Sequence, residues 1–158
     1  MPRAKSAKCA KWRFLLSQDG KICYTASMNM KTGIRRYRVP YADTDKMGVV
    51  YYGNYLRYFE MARNELMRDC GWSYKDCEDA GFMLPVLHAE VDYRKSARYD
   101  DLLELRARYR SLKGVRLEIE CEVRRDGELL ASGFTRHAFI SAKTFRPTPP
   151  QKQGRCLR

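Results

Sequence analysis

Near residue 82 the hydrophobic period of the chain changes from that of a helix to that of a strand. From about Tyr51 to Cys70, apolar side chains fall at Leu56, Phe59, Ala62, Leu66, Met67 and Cys70, the three-and-four spacing of a helix with one buried face. Charges at Arg57, Glu60, Arg63, Glu65, Arg68 and Asp69 decorate the remainder, and Gly71 supplies a left-handed stop. The stretch SYKDCEDAG, Ser73 to Gly81, predicts a second helix of two turns: a capping serine, acids in its first half and a closing glycine. From there the period is two. Residues 83–94, 101–112, 115–123 and 129–142 alternate or nearly so. Val115, Leu117, Ile119, Cys121 and Val123 share one face opposite Arg116, Glu118, Glu120 and Glu122, so one face is buried and the other wet or paired. Asp126-Gly127 and Lys113-Gly114 mark tight hairpins. Ahead of the long helix, IRRYRVPY from Ile34 reads as a further short strand ending near Pro40.

The order strand, long helix, short helix, four strands predicts an α+β domain. An antiparallel sheet of about five strands wrapped around the long helix would bury both apolar surfaces together. At 158 residues the chain fits one such domain. Its formal net charge of +12 first points to a polyanion partner. Position weakens that inference. Residues 1–29 carry six Lys/Arg against one acid, residues 143–158 carry five against none, and residues 30–142 hold 20 against 18. The expected division is a basic N-terminal extension (1–29), a folded domain (30–142) and a basic, proline-containing tail (143–158). Salt-sensitive, non-specific RNA contact through the two tails is one reading of this charge; specific nucleic-acid binding is not expected. No apolar run is long enough to span a bilayer or serve as a secretory signal, and the six cysteines are scattered without C-x-x-C or zinc-ligand spacing. A protein of the reducing cytoplasm, without membrane insertion or a metal site, is expected.

Candidate chemistry gathers in YADTDKMGVVYYGNYLRYFE, residues 41–60. A calcium loop counted from Asp43 fails, because positions five and twelve are Met47 and Asn54. No dinucleotide, phosphate-loop or serine-hydrolase motif occurs. Two readings of the acids remain. Asp43, Thr44 and Asp45 could simply form a turn that caps the coming helix. Alternatively, unpaired amides at the helix start could hold an oxyanion while a nearby carboxylate attacks a carbonyl or activates water against it. His88 and His137, in strands, read as structural hydrogen-bonding residues.

The segment RVPYADTDKMGVVYYGNYLRYFEMAR, residues 38–63, resembles the active-site segment of the hotdog-fold acyl-CoA thioesterases of the 4-hydroxybenzoyl-CoA thioesterase family. Arg38, Val39, Thr44, Asp45, Gly48, Val49, Val50, Asn54, Tyr55, Glu60 and Arg63 carry the resemblance. It continues through DYRKSARYDDLLEL, residues 92–105, and covers about residues 33–142. The resemblance implies hydrolysis of an acyl-CoA to free acid and CoA. Asp45 would be nucleophile or general base, and the backbone N–H at Tyr52, or also at Tyr51, would polarise the thioester carbonyl. Tyr41 would line the site, and Asp43 would be a turn-forming partner. Tyr52 stands where some relatives carry a histidine. Arg94, Lys95 and Arg98 are candidates for the CoA phosphates. CoA is part of the substrate, so no separate cofactor is implied. Because the family sets its sites between subunits, a homodimer or homotetramer is expected. A hotdog protein that binds acyl-CoA or an acyl carrier without cleaving it is the alternative.

Overall fold

The computed structural model describes residues 32–71 and 73–149. The expected antiparallel five-stranded sheet and long helix are present. In chain order the elements are β1 (Gly33–Arg38), α1 (Asn54–Asp69), α2 (Tyr74–Asp79), β2 (Phe82–Met83), β3 (Val86–Tyr93), β4 (Leu102–Lys113), β5 (Arg116–Arg125), β6 (Glu128–Ala138) and β7 (Ile140–Ser141). The main sheet has the order β1-β4-β5-β6-β3, antiparallel throughout, and β2 pairs with β7 in a small second sheet. Edge positions therefore fall to β1 and β3.

Local chemistry explains the punctuation. Gly71 ends α1 at φ 77°, and Ser73 opens α2 with a reciprocal capping box to Asp76. Asp126 and Gly127 both have positive φ between paired Arg125 and Glu128, as a type I′ hairpin requires. Pro85 divides the stretch expected as one strand over 83–94, because it has no N–H to give a ladder. Residues 143–149, expected in the tail, stay with the fold: Ser141 N–H donates to the Arg146 carbonyl at 3.0 Å and Thr148 N–H to that of Phe139 at 3.0 Å. The extension 1–29 and residues 150–158 lie outside the described residues.

α1 lies across one rank of small residues in the sheet. Register aligns Gly33 with Ala107, Ala107 with Cys121, Cys121 with Gly133, and Gly133 with Val91. A β-carbon on Gly33 would fall 2.4 Å from the Leu66 α-carbon, and one on Gly133 would fall 2.0 Å from the Glu90 carbonyl oxygen and 3.0 Å from the Phe59 ring. The rank is thus a trough, and the helix sinks into it. Leu103, Leu105, Ile119, Val123 and Leu130 fill the flanks.

The buried helical face differs from the expectation. Tyr55, Tyr58, Phe59, Ala62, Arg63, Leu66 and Met67 are buried, while Leu56 is 44% exposed. Tyrosines can face inward here because their hydroxyls are matched: Tyr58 donates to Asp43 at 2.7 Å and Tyr55 accepts from Ala97 N–H at 3.1 Å. Arg63, expected among the solvated charges, is buried beside His137, whose Nε2 meets Thr135 Oγ1 at 2.8 Å and whose Nδ1 meets the Leu84 carbonyl at 3.3 Å. Burial first, and then the Arg63 charge, push the His137 pKa down to about 4.

Two stability predictions follow from this core. Gly133→Ala is expected to lower the unfolding free energy by about 3 kcal/mol, read as a fall in melting temperature. The unfolded chain takes up a proton at His137 near pH 6.5 but the folded chain only near pH 4, so stability is lost as pH falls through that window. The loss amounts to roughly 3 kcal/mol. His137→Gln should flatten urea-unfolding curves compared between pH 6.5 and 4.

Candidate active site

The acidic segment folds as a small hairpin at the foot of α1. Tyr51 N–H donates to the Asp43 carbonyl at 2.9 Å, Thr44 and Val50 form a bridge, and Asp45 N–H donates to the Val49 carbonyl at 2.9 Å. The tip closes through Gly48 N–H to the Asp45 carbonyl at 2.9 Å, with Gly48 at φ 74°, a conformation that suits glycine.

This hairpin is rooted in a buried carboxylate. Asp43 accepts from Tyr37 at 2.9 Å and Tyr58 at 2.7 Å, and pairs with the half-exposed Arg57. Its carbonyl takes the Asn54 Nδ2 at 2.9 Å as well as the Tyr51 amide. Burial alone would raise the Asp43 pKa, but hydrogen bonds from Tyr58, Tyr37 and Arg57 outweigh it and hold the carboxyl below its usual value. Burial first, and then the hydrogen bond to Asp43 and its charge, push the Tyr58 pKa up, so this hydroxyl stays protonated.

The helix-capping reading does not hold. Gly53 is the N-cap and no side chain caps the helix; the acids instead organise the hairpin. Asp45 makes an Asx turn, one carboxylate oxygen accepting from Met47 N–H at 2.8 Å. Its second oxygen has no hydrogen-bond partner among the described residues. The amides sort themselves similarly. The Tyr51 N–H is taken by Asp43, whereas the N–H groups of Tyr52 and Gly53 have no partner among the described residues. Both point from peptide units whose oxygens are engaged: Tyr51 carbonyl by Asn54 N–H at 2.9 Å, Tyr52 carbonyl by Tyr55 N–H at 3.3 Å and by the Tyr93 hydroxyl at 3.1 Å.

Around this core the side chains named from the sequence take varied places. Tyr52 is 62% exposed, its ring 4.5 Å from that of Tyr51. Tyr41 is 78% exposed and meets Tyr99 edge-on at 6.0 Å. The loop carrying Arg94, Lys95 and Arg98 is tied to the hairpin through Val50 N–H and the Ala97 carbonyl at 2.8 Å. Within it Lys95 is engaged by Glu128, while the guanidinium groups of Arg94 and Arg98 are unpaired among the described residues. Gly53 and Tyr93 were missed from sequence. Gly53 contributes only backbone, and Tyr93 is 41 positions from the carbonyl it reaches.

A long helix on a five-stranded antiparallel sheet, with an acid-bearing hairpin at the helix foot, is the architecture expected of a hotdog-fold thioesterase. Residues 39–153 match the family model described as the thioesterase-like superfamily, and the chain belongs to that family. It is 30% identical over 117 residues to the acyl-CoA thioesterase YbgC of Haemophilus influenzae, covering 73% of this chain and 86% of that one. Among solved structures it is similar to a DHNA-CoA thioesterase from Staphylococcus aureus, with TM-score 0.71 and 34% identity, covering 75% of this chain and 80% of that chain. It is also similar to Slr0204, a 1,4-dihydroxy-2-naphthoyl-CoA thioesterase from Synechocystis, with TM-score 0.70 and 26% identity over 77% and 90% of the two chains. The family expected from residues 38–63 is thereby borne out.

The Asp43 network carries its own test. Asp43→Asn replaces an acceptor-only group facing three donors, and is expected to cost about 2 kcal/mol at pH 7. The folded-state pKa is depressed, so this contribution is present above the unfolded value of 3.8 and fades below it. Denaturant titrations at pH 7 and pH 3 should show the gap between the two proteins shrinking at the lower pH.

Proposed function

We propose that this chain hydrolyses acyl-CoA thioesters, with Asp45 as the reacting carboxylate and the Tyr52 and Gly53 amides as the oxyanion site. The observation that carries the reading is the pairing of two unsatisfied resources in one short segment. Asp45 keeps one oxygen uncommitted, and two consecutive helix-foot amides keep their protons uncommitted. The thioesterase relatives support the reaction class.

The chemistry follows from charge development. As an oxygen nucleophile adds to the thioester carbon, the carbonyl oxygen becomes an anion, and fixed amide dipoles at a helix start stabilise it without reorganising. Asp45 either adds directly, giving an anhydride that water then opens, or takes the proton from a water that adds. On balance both routes break the carbon–sulfur bond, form one net carbon–oxygen bond, consume one water and release CoA thiol, a carboxylate and one proton. No separate cofactor enters the balance.

Arg94 and Arg98 are the proposed contacts for CoA phosphates: their guanidinium groups are unpaired among the described residues and their loop is tied to the hairpin. Lys95, held by Glu128, serves that purpose less. Tyr41 and the Tyr52 ring, both exposed, offer an apolar wall that a second subunit can complete. The outer edge of β3 bears no strand, and Val86 and Leu87 on it are 54% and 55% exposed. An open edge of this kind is a surface for pairing with a second copy, which supports a homodimer or an assembly of dimers.

Asp45→Asn, assayed by CoA thiol release across a panel of acyl-CoA esters, is expected to lose about 100-fold or more in turnover while retaining its melting temperature. Undiminished turnover in the folded variant refutes the assignment, and binding without thiol release in the unaltered chain indicates a non-catalytic acyl-CoA binder.

A further inference from the structure

Edge strand β3 reaches the proposed oxyanion site through a single hydroxyl. Tyr93, its last residue, sets its ring edge-on to Tyr55 at 5.3 Å and 86° and donates its O–H to the Tyr52 carbonyl at 3.1 Å. That oxygen belongs to the same planar peptide unit as the Gly53 N–H. Fixing one end of a planar amide fixes the direction of the other, and a hydrogen bond accepted at the oxygen strengthens the N–H as a donor.

The two peptide units at the helix foot are not held alike. The unit bearing the Tyr52 N–H is secured by the helix itself, through Asn54 N–H on the Tyr51 carbonyl at 2.9 Å. The unit bearing the Gly53 N–H has only a stretched helical bond, from Tyr55 N–H at 3.3 Å. Tyr93 supplies the contact that the first turn of α1 supplies weakly. Burial, with the neighbouring Tyr52 and Tyr55 hydroxyls, raises the Tyr93 pKa, so the group stays protonated and able to donate throughout the neutral range.

We propose that Tyr93 is a positioning residue for thioester hydrolysis: its hydroxyl aims and polarises the Tyr52–Gly53 peptide so that the Gly53 N–H meets the developing oxyanion. The inference rests on the functional reading above. It also makes strand β3, the open edge of the sheet, a mechanical part of the site, since whatever docks on that edge presses on the strand that holds Tyr93.

Tyr93→Phe is the direct test, because it removes one oxygen from a half-exposed ring and leaves the Tyr55 contact in place. The expected result is a fall in kcat of about tenfold with KM within about twofold, since the hydroxyl acts on charge that exists only in the transition state. The melting temperature stays near that of the unaltered chain. Independently of activity, the Gly53 amide proton should move upfield in an NMR spectrum of the ligand-free variant, reporting loss of the bond at its own carbonyl. Unchanged kcat in the folded variant, a loss confined to KM, or an unmoved Gly53 resonance each overturns the proposal. Should Tyr93→Phe fail to fold, the hydroxyl is structural and the proposal also falls. If Asp45→Asn remains fully active, the functional reading fails whatever Tyr93 does; if Asp45→Asn is inactive and Tyr93→Phe is not impaired, only the role of Tyr93 is lost.

Discussion

A buried carboxylate at Asp43 joins three parts of the molecule directly. Its oxygens take Tyr37 from β1 and Tyr58 and Arg57 from α1, while its carbonyl takes the amide that closes the hairpin and the side chain of the first helical residue. Burying a charge is expensive unless it is fully hydrogen-bonded, and one fully satisfied is correspondingly hard to move. Sheet, hairpin and helix foot are therefore locked in one geometry. Asp45, the carboxylate proposed to react, lies two residues later in the hairpin that Asp43 anchors, and its own Asx turn helps close the tip.

The small-residue rank in the sheet sets the depth at which α1 lies, and depth matters because the helix foot carries the free amides. Gly33 and Gly133 admit backbone and ring atoms where a β-carbon would stand, and Cys121 between them keeps its thiol against the Phe59 carbonyl at 3.9 Å. Burial pushes that thiol up to about 12, so it remains a neutral filler. The opposite face of the sheet is a lattice of paired charges, with Arg106 on Glu104, Arg108 on Glu120, Arg124 on Glu122 and Arg136 on Glu118. Such pairs add little stability. They leave these four arginines engaged by neighbouring acids.

What the sequence made legible was whatever repeats locally. Alternation from Leu117 to Val123, the Gly71 stop and the Asp126-Gly127 turn each depend on neighbours in the chain, and each stands where its chemistry predicts. Arg63 and Leu56 exchanged places because hydropathy alone cannot see that His137 and Thr135 lie under one and solvent over the other. At the site, Asp45 and Gly48 were visible as residue types in a fixed spacing. Which amides lack a partner was not, because that is settled by the hairpin register: the same pairing that consumes the Tyr51 N–H leaves the next two without one among the described residues. Lys95 looked as available as Arg94 until Glu128, 33 residues away, took its charge.

These facts share a division of labour. The groups proposed to meet the reacting carbon and oxygen are one short carboxylate and two backbone amides, none of which has rotamer freedom to lose beyond the Asp45 side chain. Large flexible groups, Tyr41, Tyr52, Arg94 and Arg98, stand around the site and not at its centre. A donor that is backbone tolerates any side chain on its own residue, so the proposed role of the position 52 amide does not depend on its tyrosine ring. The sensitivity moves instead to residues that fix the peptide planes. In the reading proposed above, the surrounding aromatics can vary while the peptide planes at the helix foot stay fixed, held from one side by Asp43 and from the other by the end of β3.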